Sequence, residues 1–75
     1  MSLLEAKINT ELIIKEINIA DEKTKIRLME LGLNIGTKLT IKHKSLFKKT
    51  MLIVFQNSCF TLKENFAKSI VVNYA

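Results

Sequence analysis

The stretch RLMELGLNIGT, residues 27–37, decides how this chain folds. Its first half has apolar residues at helical spacing, since Leu28 and Leu31 lie three positions apart and share one helix face. Gly32 follows at the position where helices commonly end on a residue with positive φ. Gly36 comes four residues later and begins an alternating segment. The stretch therefore predicts a helix that stops at Leu31 and turns tightly into a strand.

Upstream of this stretch, Asp21 and Glu22 predict where the helix begins. An aspartate at the N-cap accepts a hydrogen bond from a free backbone N–H of the first turn. A second acid in that turn interacts favourably with the helix dipole. We therefore expect a helix of about three turns over residues 21–31.

Before the helix, LIIKEINI over residues 12–19 is rich in β-branched residues and predicts a strand. Its alternation is imperfect, because Ile14 and Ile17 have opposite parity although both are apolar. A bulge near Lys15 and Glu16 lets both isoleucines point inward.

After the helix, the sequence alternates between apolar and polar residues in short segments separated by polar turns. Five short strands, one early helix and one late helical turn in 75 residues predict a mainly β fold, a small and partly open barrel. No linker divides the chain, so we expect one domain over residues 1–75. The later strands are expected at residues 37–45, 51–56, 60–62 and 70–72, and the helical turn at 63–69.

The composition indicates a globular chain without a membrane span. The apolar fraction is 48%, and the longest apolar run, residues 51–55, is far shorter than the roughly 20 residues needed to cross a bilayer. The first residues lack the basic and apolar regions of a signal peptide. A single cysteine fits a reducing compartment. We expect a cytoplasmic protein that does not insert into the membrane.

The net charge is +5, and it is concentrated in the second part of the chain, where Glu64 is the one acid among residues 31–75. Such a basic part could meet nucleic acid, anionic lipid or an acidic protein surface. The lysines are scattered and no set of arginines and aromatic residues accompanies them. We interpret them as a solvated surface and expect no nucleic acid partner.

His43 and Cys59 are the best candidates for binding a soft or borderline metal ion. A structural zinc site needs four ligands, commonly at close spacing, and the chain has no such pairs. Nucleophilic catalysis needs an oriented histidine beside its serine or cysteine, and no motif indicates one. No phosphate-binding loop is present either. We therefore expect no bound metal, no cofactor and no enzymatic activity.

The stretch at residues 27–37 resembles the signature of the FeoA family, Arg-Leu-x-x-Leu-Gly-Leu-x-x-Gly, which joins a helix to a strand. FTLK at residues 60–63 resembles the family's aliphatic-x-Leu-Arg, with Lys63 in place of arginine. The ending at residues 67–72 resembles Ala-x-x-Ile-x-Val. Prolines frequent in the family, for example at the position of Ile35, are absent, which affects loop shape more than fold.

The resemblance implies an SH3-like barrel and a role beside FeoB, the membrane GTPase that imports ferrous iron. It implies an accessory protein that acts from the cytoplasm and reaches the inner membrane through the transporter. Two other functions stay open. One is a metal-responsive domain that binds a divalent ion at the interface of a homo-oligomer, and the other is a basic barrel that binds nucleic acid.

Leu52, Val54 and Val71 are apolar, although strand alternation predicts that their side chains lie on solvent-exposed faces. Local cover by a helix, a loop or the tail around Tyr74 is one explanation. The other is a contact surface for FeoB or for a second copy of the chain, because exposed apolar area on a small domain tends to mark interaction. Gly32 and Gly36 are assigned to backbone geometry.

Overall fold

A computed structural model describes the whole chain, from Met1 to Ala75. A short 3₁₀ turn at Leu3–Glu5 precedes five strands and two helices. In chain order these are β1 (Glu11–Ile17), α1 (Glu22–Glu30), β2 (Lys38–Ser45), β3 (Thr50–Phe55), β4 (Ser58–Lys63), α2 (Glu64–Ala67) and β5 (Ile70–Tyr74).

The five strands form one antiparallel sheet in the order β4-β3-β2-β1-β5. The sheet curls without closing, which confirms the mainly β, partly open fold predicted from the sequence. The N-terminal segment covers the outer edge of β5, where Ser2 bridges Val71 and the Val72 N–H donates to the carbonyl of Met1 at 2.9 Å. At the other end of the sheet, β4 is the edge strand.

The predicted bulge in β1 is confirmed, because the pairing of β1 with β5 shifts between Ile14 and Glu16. Ile14 and Ile17 are consequently both buried. A second shift, between Ile41 and His43 of β2, was not predicted. Each bulge adds one residue and increases the local twist, which helps a short sheet to curl around its core.

The core consists of 17 buried residues, all of them apolar. Strand β3 shows the expected alternation, since Met51, Ile53 and Phe55 are buried while the residues between them are half-buried. Phe55 also packs edge-to-face against Phe60, with ring centroids 5.6 Å apart. Burial of these side chains is the main source of stability for so short a chain.

Helix α1 is bounded by Asp21 at its N-cap and by Leu31 at its C-cap, so it is one residue shorter at each end than predicted. The Asp21 carboxylate accepts the Lys23 N–H at 3.2 Å and the Thr24 hydroxyl at 2.8 Å. Leu28 is its one buried residue, and Leu31 is 53% exposed. Leu28 and Leu31 share a helix face, as predicted, but Leu28 alone is buried in the core.

The end of α1 is a Schellman motif, in which the helix is closed by two backbone bonds. The Leu33 N–H donates to the carbonyl of Leu28 at 2.9 Å, and the Gly32 N–H donates to that of Met29 at 3.1 Å. Gly32 has a φ of +104°, a conformation that glycine adopts without strain. Leu28 and Leu33 are both buried, as the motif favours.

The connection from α1 to β2 is fixed by Thr37 and Gly36. The Thr37 hydroxyl donates to the carbonyl of Gly32 at 3.1 Å and accepts the Asn34 N–H at 3.0 Å. Gly36 has a φ of +92°, and its N–H donates to the carbonyl of Ile14 at 2.8 Å, next to the bulge of β1. The stretch 27–37 thereby ties the helix to the sheet.

Candidate interaction surfaces

Leu52 and Val54 lie on the outer face of β3, as predicted, and each is half-buried. Their cross-strand neighbours are mostly polar: Leu52 faces His43 and Thr61, and Val54 faces Thr40 and Cys59 on the flanking strands.

Val71 does not join them. It lies on β5 opposite Glu16, and β2 and β1 separate it from β3. Its other neighbour is Ser2 of the N-terminal segment, and it is half-buried. Leu52, Val54 and Val71 therefore lie on two separate parts of the protein surface rather than on one.

An open groove lies between α1 and the edge strand β4. It has a volume of about 450 Å³ and is mostly apolar. Arg27 of α1 and Lys63 at the end of β4 place two cationic side chains on it. Its apolar residues are Leu28, Leu31, Phe60, Leu62 and Phe66. We call this feature the α1–β4 groove.

The α1–β4 groove was not predicted from the sequence, because its apolar members have the periodicity of core residues. Phe60 and Phe66 pack against the core but remain half-buried, and Leu31 is exposed. Periodicity places these residues on the inner side of their elements, but it does not show that an open groove separates α1 from β4. The available signal was the narrow apolar face of the predicted helix, on which Leu28 and Leu31 are the two leucines.

The turn between β2 and β3 carries the most exposed apolar residues of the chain. Leu46 is 85% exposed and Phe47 is fully exposed. The turn is ordered by a bond from the Lys48 N–H to the Ser45 hydroxyl at 3.3 Å and by a positive φ of 51° at Lys49. Two adjacent apolar residues within a polar hairpin were visible in the sequence and were not singled out.

His43 and Cys59 are not brought together. His43 on β2 faces Leu52 of β3, and Cys59 on β4 faces Val54 of the same strand, so β3 lies between them. Two strand spacings are about 10 Å, whereas ligands of one zinc ion lie about 2 Å from it. Both side chains are exposed, and no three histidine, cysteine or acidic residues cluster anywhere in the chain.

Solved structures with the same fold identify the class of this domain. The FeoA protein of Chlorobium tepidum superposes with a TM-score of 0.90 at 26% identity, over 99% of this chain and 70% of that one. A FeoA-like protein of Clostridium acetobutylicum gives a TM-score of 0.82 at 22% identity, over 99% and 85%. A manganese-dependent transcriptional repressor gives 0.90 at 15% identity, with this chain covering 41% of it.

These likenesses define a small SH3-like domain that occurs both alone and as part of longer metal-dependent repressors. The family model for the FeoA domain matches residues 1–74. The chain belongs to the FeoA family, which is involved in iron transport and is not an enzyme family. A comparison with curated proteins gave no match. None of the helices has the length and apolarity that crossing a bilayer requires.

Proposed function

We propose that this protein is a non-enzymatic accessory of ferrous iron uptake that works in the cytoplasm by binding the cytoplasmic part of FeoB. Membership of the FeoA family supports the process, and the α1–β4 groove supports the mode of action. An open apolar groove with cationic residues on it is a typical binding site for a segment of another protein.

The chemistry of the groove defines the segment that fits it. Apolar side chains of a partner can replace water over Leu31 and Phe60, while acidic side chains can pair with Arg27 and Lys63. β4 is also the edge of the sheet, so its outer backbone groups are available to an extended partner strand. We therefore propose an extended apolar and acidic segment of FeoB as the ligand.

Leu52 and Val54 offer a second contact surface. They lie on the outer face of the sheet one strand away from β4, so a partner in the α1–β4 groove could extend over them. Val71 is proposed as a separate, smaller contact, because it lies on the far side of β1 and β2. The alternative to FeoB binding is that the chain self-associates through one of these two contact surfaces.

Binding of the purified FeoB cytoplasmic domain to variants of this chain tests the proposal. Leu31→Glu places a carboxylate in the groove. Binding should weaken about tenfold or more, because the bound partner would cover this carboxylate with apolar surface and because the carboxylate would repel acidic side chains of the partner. Met29→Glu is the matched control, since Met29 is similarly exposed on α1 but does not line the groove. Equal binding by both variants would contradict the groove as the site.

A double variant, Leu52→Lys with Val54→Lys, tests the second surface. Both side chains are outside the core, so the fold should persist, as checked by circular dichroism. We expect lost binding to FeoB, or lost self-association if the surface serves a second copy. A folded double variant that retains both would remove Leu52 and Val54 from the interface.

A further inference from the structure

The turn between β2 and β3, which carries Leu46 and Phe47, lies outside the surfaces proposed above for FeoB. We call residues 46–49 the hairpin tip. Phe47 is fully exposed and Leu46 is 85% exposed, whereas most large apolar side chains of the chain are buried or half-buried. Exposing two adjacent large apolar side chains to water is unfavourable unless they meet an apolar environment.

Lysines lie within the hairpin tip and beside it. Lys48 and Lys49 belong to the turn itself, and they share a depression with Lys63 and Lys68 in which Glu64 is the one acid. The Glu64 N–H donates to the carbonyl of Lys49 at 3.0 Å, so the start of α2 is fixed against the hairpin. This end of the molecule therefore carries a local net charge of +3.

Lys44 does not belong to this set. Its ammonium group donates to the carbonyls of Leu4 and Ala6, each at 2.8 Å, and so serves to hold the N-terminal segment. On the β2 and β3 side of the hairpin, the depression beside Lys48 is lined by His43 and by neutral residues, with no acid among them. The positive potential around the tip is thus not cancelled from either side.

We propose that the hairpin tip binds directly to an anionic lipid bilayer, with Leu46 and Phe47 at the boundary between headgroups and acyl chains. Two almost fully exposed apolar side chains beside a cluster of lysines match the apolar interior and the anionic headgroups that such a bilayer presents. The lysine heads would then lie at the level of the anionic headgroups, which attract them. A bilayer can receive exposed apolar side chains without a matching pocket, which a protein partner would have to supply.

This contact differs from a membrane span. The expectation that the chain does not insert was based on the lack of a segment long enough to cross the bilayer. A shallow contact needs only two side chains at headgroup depth. A nucleic acid is the less suitable partner, because Leu46 has no stacking face and no arginine accompanies Phe47.

Vesicle sedimentation with the full chain, without any transporter, tests this inference. The vesicles are neutral phosphatidylcholine alone, or phosphatidylcholine with about one third phosphatidylglycerol. We expect binding to the anionic vesicles and little to the neutral ones. Phe47→Ser should weaken it about tenfold or more, from the lost burial of the ring. Lys48→Gln with Lys49→Gln should weaken it about 25-fold, from about fivefold per lysine.

Matched controls lie away from the tip, on α1 and around the start of β2. Ile35→Ser removes an apolar side chain that is 69% exposed, and Lys25→Gln with Lys38→Gln removes two charges. The length of β2, at most about 27 Å along its eight residues, separates Lys38 from the tip, and the Debye length at physiological salt is about 8 Å. Both controls should bind within about twofold of the unchanged chain.

A fluorescent reporter gives an independent measurement, because the chain contains no tryptophan. The emission of a Phe47→Trp variant should shift to the blue with anionic vesicles, and that of Ile35→Trp should not. Absence of binding to anionic vesicles would overturn the proposal. So would binding that survives Phe47→Ser, or binding to single-stranded DNA that exceeds vesicle binding and is insensitive to that change. None of these outcomes depends on FeoB.

Discussion

Replacing each glycine of the helix–strand connection by alanine tests the reasoning about residues 27–37. Gly32 and Gly36 have φ values of +104° and +92°, so both substitutions force an L-residue into an unfavourable conformation. They differ in their surroundings. A Cβ atom at Gly32 would lie 3.2 Å from Cε2 of Phe55, whereas one at Gly36 would meet nothing within 4 Å. The pair therefore separates backbone strain from crowding.

The expected magnitudes follow from these two differences. Strain at a positive φ costs about 1–3 kcal/mol, and the reduced freedom of the unfolded chain returns somewhat less than about 1 kcal/mol. Gly36→Ala should therefore lose about 1–2 kcal/mol. Gly32→Ala should lose about 1 kcal/mol more, because Phe55 is a buried core ring that cannot easily move away. Gly32→Val should be worse still, since a β-branched residue is less tolerated there.

Thermal unfolding followed by circular dichroism measures both effects. In a domain of this size 1 kcal/mol corresponds to about 4–8 °C in Tm. Gly36→Ala should lower Tm by about 4–16 °C, and Gly32→Ala by about 4–8 °C more. A Gly32→Ala protein as stable as the unchanged chain, or less affected than Gly36→Ala, would refute this explanation of the connection.

Two further predictions concern the core and the N-terminal segment. Ile53→Ala should cost about 2–5 kcal/mol in chemical denaturation because Ile53 is fully buried in the central part of the sheet, whereas Ile35→Ala should change stability by less than about 0.5 kcal/mol. Equal effects would contradict the assigned core. Lys44→Met should lose about 1–2 kcal/mol, since it leaves the carbonyls of Leu4 and Ala6 without their charged donor. Lys42→Met, at an exposed position of the same strand, is its control, and faster amide exchange at residues 2–6 in Lys44→Met alone is the expected signature.

The sequence predicted the elements well because their signals are local. The cap at Asp21, the stop at Gly32 and the alternation of β3 each depend on residues a few positions apart, and all three are present in the structure. The bulge of β1 was predictable because the parity of Ile14 and Ile17 requires it. The bulge of β2 was not, because the alternation of its apolar residues, Leu39 and Ile41, ends before it.

The interaction surfaces were predicted less well because they depend on how elements lie in space. Strand alternation correctly placed Leu52 and Val54 on the outer face, but it could not show that β1 and β2 separate them from Val71. The α1–β4 groove exists because α1 contacts the sheet mainly through Leu28, which depends on long-range packing. Phe60 and Phe66, which pack against the core, therefore also line a groove.

The most direct test of the central claim, that this protein acts by contact with FeoB, is a nuclear magnetic resonance titration. The ¹⁵N-labelled chain, of 8.6 kDa, is titrated with the unlabelled cytoplasmic domain of FeoB. Saturable shifts or broadening of the amides at Arg27, Leu31 and along β4 are predicted, with those of the hairpin tip unchanged. An unaltered spectrum at saturating FeoB would contradict the claim, and changes confined to residues away from α1 and β4 would exclude the α1–β4 groove as the site of contact.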